Sequence, residues 1–121
     1  MEIQMEQKIK LRLVAASLFT FSAALLIPTQ ASAFDADAAQ ALGKSNGCFK
    51  CHDIEKSKKG PSYKKVAEKL KGKPDAVKKI IENITTEPMV KFKDGTEDKH
   101  KLIDTKDPKE LNNIAEWILA Q

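Results

Sequence analysis

Arginine is almost missing from this 121-residue chain: Arg12 is the single copy, and every positive charge after residue 33 comes from lysine. Lysine is a compact, strongly hydrated charge, whereas arginine supplies the planar fork suited to phosphate. With no recognition motif beside the lysines, nucleic-acid binding finds no support. Only two cysteines occur, Cys48 and Cys51. Two residues apart, they cannot close a long loop, so a disulfide framework is excluded as the staple of the fold. The longest apolar run, Leu13 to Ile27, is broken by Ser and Thr and falls short of the roughly 20 residues that span a membrane. Alternating β-branched runs are scarce as well, which argues against a sheet-based fold.

The first 33 residues read as an export leader. Lys8, Lys10 and Arg12 form a positive start, the Leu13–Ile27 run follows, and Ala31-Ser32-Ala33 is a small-x-small cleavage site. Cleavage after Ala33 is expected, with residues 1–33 removed as a signal peptide and 34–121 left as a single domain without stable membrane insertion. No cysteine stands at the processing site, so a lipid anchor has no attachment point.

A domain of that size has a thin core and usually needs a covalent or metal staple. Its charge is also unevenly spread. Lys44 to Lys79 holds 12 Lys against Asp53, Glu55, Glu68 and Asp75, a balance of +8, while residues 80–121 hold 6 Lys against 9 acids, a balance of −3. Most surface lysines are simply solvated, but a chain divided this way carries a charge dipole that can orient a charged partner.

The staple is expected at Cys48-Phe49-Lys50-Cys51-His52. Three chemistries use cysteines at this spacing. A redox dithiol would sit at a helix start in a sheet-containing fold, which the scarcity of strands disfavours. A structural zinc site needs about four ligands, and only Cys48, Cys51, His52 and distant His100 are on hand. The third chemistry, covalent c-type haem attachment, needs two thiols spaced to meet the two vinyl groups and a histidine beside the second thiol to bind iron. The pattern fits it fully, and one haem held through Cys48, Cys51 and His52 would supply the missing core. An export leader agrees, because this attachment is made outside the bacterial cytoplasm.

Residues 34–121 resemble a small bacterial class I cytochrome c over nearly their full length. The likeness is carried by the helix-like Asp35-Ala-Asp-Ala-Ala-Gln-Ala-Leu-Gly43, by Asn46-Gly47-Cys48-Phe49-Lys50-Cys51-His52, by Lys59-Gly60-Pro61-Ser62-Tyr63, and by the closing Leu111-x-x-Ile114-Ala115-x-Trp117-Ile118-Leu119. The resemblance implies an all-α fold of four or so helices around one haem, with the first helix crossing the last and Gly43 facing Trp117. It also implies that the Pro61 carbonyl fixes His52 by accepting a hydrogen bond from its free ring nitrogen. A Gram-negative periplasm is the expected location.

Helix signals agree with that architecture. Asp35, Ser62, Asp75 and Asp107 are candidate N-caps, and Pro108 and Glu110 strengthen the last start. Apolar stripes follow the last three: Tyr63, Val66, Ala67 and Leu70; Val77, Ile80, Ile81 and Ile84; Leu111, Ile114, Ala115 and Ile118. Between the third and fourth helices lies 85–106, long for a compact domain, with a hairpin-like bend at Asp94-Gly95.

That segment holds both candidates for the second iron ligand, Met89 and His100. Family habit favours a loop methionine, and Met89 is the only one after the leader. Position favours His100. It lies 17 residues before Trp117 and 48 after His52, against 28 and 37 for Met89, and Pro88 precedes Met89 where the family often has proline following. The expectation is therefore iron bound by His52 and His100, with Met89 as the alternative. A second imidazole, unlike a thioether, would stabilise the oxidised form and lower the potential. The functional expectation is a monomeric, non-enzymatic one-electron carrier that meets redox proteins through an acidic patch on the partner. The alternative is a haem protein whose labile distal site binds small ligands such as gases.

Overall fold

Four helices form where the caps and apolar stripes put them. The computed structural model describes residues 33–121; the leader expected over 1–33 lies outside the described residues except for Ala33. Helix α1 spans Ala36–Ser45, α2 Tyr63–Leu70, α3 Ala76–Thr85 and α4 Pro108–Leu119, with a 3₁₀ turn at Cys48–Lys50. Asp35, Ser62 and Asp107 each accept a hydrogen bond from an early helical N–H, those of Ala38, Lys65 and Lys109. Asp75 does not cap α3. Its carboxylate is 3.0 Å from the Lys79 ammonium one turn on, and that ion pair holds it away from the helix end. At α4 the Glu110 side chain accepts from Thr105 Oγ1, and Thr105 Oγ1 accepts from the Asp107 N–H. The expected reciprocal cap thus closes through Thr105.

The core lies where α4 meets α1, α2 and α3. Ala39 and Ala115 are fully buried and Ile114 is 2% exposed; truncating a side chain buried like Ile114 typically costs about 2–5 kcal/mol. The first helix crosses the last through its small residues, with one correction to the expected register. A Cβ on Gly43 would lie 3.1 Å from Phe49 Cε2 and 3.8 Å from Ile114 Cδ1. Gly43 therefore approaches α4 at Ile114, one turn before Trp117. Trp117 instead packs edge-on to Phe49 and Tyr63, with ring centroids 6.2 and 5.3 Å away. Asn113 locks the crossing, accepting from the Asp35 N–H at 2.6 Å and donating back to the Asp35 carbonyl at 2.9 Å.

After α3 the chain turns at Glu87, whose φ of +51° is left-handed, and enters a two-stranded antiparallel hairpin. Its strands are β1, Met89–Lys91, and β2, Glu97–Lys99. Register pairs Met89 with Lys99, Val90 with Asp98 and Lys91 with Glu97. The expected bend is there: Gly95 takes φ +86°, and Asp94 Oδ1 accepts from both the N–H and the hydroxyl of Thr96. The fold is otherwise helical, as expected.

Candidate functional site

His52 follows Cys51, the C-cap of the 3₁₀ turn that begins at Cys48. That turn starts at Gly47, whose φ of +69° turns the chain out of α1. The His52 ring lies flat over the backbone of Gly60. A Cβ there would stand 2.6 Å from His52 Cε1 and 2.9 Å from Nδ1, so only glycine leaves room for the imidazole. Next in sequence, the Pro61 carbonyl oxygen is 2.7 Å from His52 Nδ1. A carbonyl only accepts, so Nδ1 carries the proton and Nε2 is left with a free lone pair. The ring also stacks with Tyr63, with 5.3 Å between centroids. Burial lowers the His52 pKa from its ordinary value, opposed by the Pro61 bond and assisted by nearby His100. The ring is thereby held neutral, the state in which imidazole binds metal.

His100 comes to the same place from the far end of the hairpin. Its N–H donates to the Pro88 carbonyl at 2.8 Å, extending the strand ladder by one pair. The Lys101 carbonyl oxygen is 2.9 Å from His100 Nδ1. His100 is thus oriented as His52 is, with Nδ1 on a backbone carbonyl and Nε2 free. The two ring centroids are 6.0 Å apart, with the planes at 41°. His52 and His100 would hold the haem iron through their free Nε2 atoms, a metal–nitrogen bond to imidazole being about 2 Å long.

Met89 is brought near His100 along the chain but faces elsewhere. Strand neighbours alternate sides, and the register places Met89 with Lys99 on one face and Pro88 with His100 on the other. The Met89 side is open to water, Met89 itself being 61% exposed.

Burial raises the Cys48 pKa, with the Tyr63 hydroxyl and Lys101 ammonium acting in the opposite direction. A reactive dithiol needs a depressed thiol pKa, so the burial of Cys48 gives the dithiol reading no support. Among the described residues no group of three or more His, Cys, Asp and Glu side chains could hold a metal ion by itself, which leaves the zinc reading without its ligands. Two half-buried thiols, a glycine-cradled imidazole and a second imidazole 6.0 Å from it fit covalent haem, which Cys48, Cys51, His52 and His100 would hold.

Sequence reasoning missed what holds the His100 segment in place. Asn46, a buried polar residue, accepts from the Asp104 N–H at 2.7 Å and donates to the Leu42 carbonyl at 2.9 Å. The Ile103 N–H donates to the Ile84 carbonyl at 2.9 Å. An Asn before a Gly at a helix end is an ordinary C-cap signal, and nothing local marks a partner 58 residues away.

The profile of the cytochrome c family matches residues 36–121. Among solved structures, the class 1 cytochrome MtoD of Sideroxydans lithotrophicus ES-1 is 50% identical with a TM-score of 0.70, over 73% of this chain and 97% of that one. Wild-type cytochrome c552 of Nitrosomonas europaea is 28% identical with a TM-score of 0.52, over 70% and 96%. Cytochrome c-552 of Hydrogenobacter thermophilus is 50% identical over 36 residues, 30% of this chain and 37% of that protein, so the alignment spans little more than a third of this curated relative. Because the family match runs through all four helices and both cysteines, the chain belongs to the cytochrome c family: it is a small bacterial class I monohaem cytochrome, a haem-based electron carrier with Cys48 and Cys51 at the haem-attachment positions.

Proposed function

We propose that this protein is a periplasmic one-electron carrier whose haem iron is bound by His52 and His100. The observation that carries the reading is the pair of imidazoles 6.0 Å apart, each with Nδ1 engaged by a backbone carbonyl. When bound, the haem supplies the chemistry of exchange between ferrous and ferric iron. The chain supplies the rest. The Pro61 and Lys101 carbonyls orient the two rings, and Gly60 admits the His52 ring. Asn46 and Ile84 pin the segment that carries His100. Two imidazoles donate more strongly than one imidazole and a thioether, so the carrier works at a lower potential than a Met-bound relative.

The 44–79 lysines flank the haem-attachment sequence. Lys58, Lys64, Lys78 and Lys79 are drawn into exposed ion pairs with Asp53, Glu55, Glu82 and Asp75, and pairs of that kind bind weakly. The remaining lysines are left to meet an acidic patch on a redox partner in a small, transient complex, this protein acting as a monomer. Delivery to the periplasm follows from the leader, and the mature chain starts at Phe34; intact mass checks this, a chain still carrying residues 1–33 being the contrary result.

The axial assignment is tested with His100→Ala and Met89→Ala in the haem-loaded protein. We expect His100→Ala to turn the ferric spectrum high-spin and to bind carbon monoxide rapidly when reduced, with Met89→Ala unchanged. The opposite pattern would assign Met89. Rapid carbon monoxide binding by the unaltered protein would favour the small-ligand-binding alternative.

A further inference from the structure

The hairpin has two unlike faces. Register sets Met89, Lys91, Glu97 and Lys99 on one, and all four are exposed. The other carries Pro88, Val90 and Phe92 in line with His100, and these four are half-buried, while Asp98, paired with Val90 on that face, is exposed. Yet among the described residues neither Val90 nor Phe92 belongs to the helix core or to the apolar side chains packed on it. The 88–92 side of that face, beside His100, is apolar and half-buried yet unattached to the core, and so belongs to something else at the site.

We propose that the 89–99 hairpin is a cover for the haem on its His100 side, with Val90 and Phe92 as haem-contacting residues. The inference rests on His100 as the distal ligand and adds what the strand face beside it does. The His100 N–H bond to Pro88 fixes the first residue of the apolar strand directly opposite the ligand histidine. At the tip, Asp94 Oδ1 accepts from the N–H and the hydroxyl of Thr96 and closes the turn. A cover of this kind excludes water and small ligands from the distal side and makes the environment less polar.

The direct test is proton NMR of the reduced, haem-loaded protein. We expect the Val90 methyl and Phe92 ring signals to be displaced by the porphyrin ring current and to show contacts with porphyrin protons, and the Met89 methyl to sit at its ordinary position. Ordinary positions for Val90 and Phe92, with displaced His100 signals, would overturn the cover and leave the His100 assignment standing. A strongly displaced Met89 methyl would overturn both, because it would put the opposite face of the hairpin on the haem. Kinetics supply the second readout. Phe92→Ala should speed cyanide binding to the ferric protein about fivefold, the factor that corresponds to about 1 kcal/mol, with Lys91→Ala unchanged. Equal rates in the two variants would contradict the proposal.

Discussion

Asn46 is where the account is most exposed to a single substitution. Its Oδ1 is the partner of the Asp104 N–H at 2.7 Å, and its Nδ2 donates to Leu42. In Asn46→Ala both bonds vanish, but the consequences differ. The Leu42 carbonyl keeps the Ser45 hydroxyl and the Asn46 N–H as donors, so losing Nδ2 costs little. The Asp104 N–H loses its acceptor in a part-buried position, and an unsatisfied donor of that kind costs about 1–3 kcal/mol. That stranded donor sets the expected loss at about 1–3 kcal/mol. Ser45→Ala is the control: it also removes a bond to Leu42 but strands nothing buried, and exposed changes of this sort stay within about 0.5 kcal/mol. Denaturant unfolding of both haem-loaded variants measures the difference. The spectrum adds a readout specific to position, because a released 100–104 segment should leave a high-spin fraction in Asn46→Ala. If Asn46→Ala costs no more than Ser45→Ala and stays fully low-spin, Asn46 does not hold the His100 segment.

Gly60→Ala should push the His52 ring off the Pro61 carbonyl. We expect a loss of about 1–3 kcal/mol, as for other overpacked sites, with a perturbed low-spin spectrum; an unchanged midpoint and spectrum would refute the cradle. Tyr63 gives a pH dependence. Burial, with Cys48 beside it, raises its hydroxyl pKa, so above about pH 10 the unfolded chain loses a proton that the folded chain keeps, and stability falls as pH rises toward the folded value. Tyr63→Phe should flatten that alkaline decline in denaturant titrations, and equal slopes in the two proteins would count against it. Electron transfer with an acidic partner should slow as salt shortens the screening length from about 30 Å at 0.01 M to about 8 Å at 0.15 M. A stopped-flow rate indifferent to salt would remove the lysine docking surface.

Local signals carried much of this. Three of four N-caps, the stripes on α2, α3 and α4 and the bend at Asp94-Gly95 depend on residues within a turn or two of one another, which is the range over which sequence pattern reports geometry. Asp75 misled because the same carboxylate had a competing partner in Lys79. Gly43 was placed one turn off on α4, since a small residue announces close approach without naming its partner. Asn46, Asn113 and the role of Gly60 stayed hidden because each acts on a residue distant in the chain or through a missing side chain. Parity of the strand was the subtler omission. The sequence put Met89 and His100 in one loop, and only the register shows that they face opposite ways.

The most direct test of His52 and His100 as the iron pair is the ferric absorption spectrum of the haem-loaded protein at neutral pH. The account predicts a low-spin spectrum without the weak far-red band of sulfur-to-iron charge transfer. That band, if present, would assign Met89 and contradict the pairing drawn from the two imidazoles 6.0 Å apart.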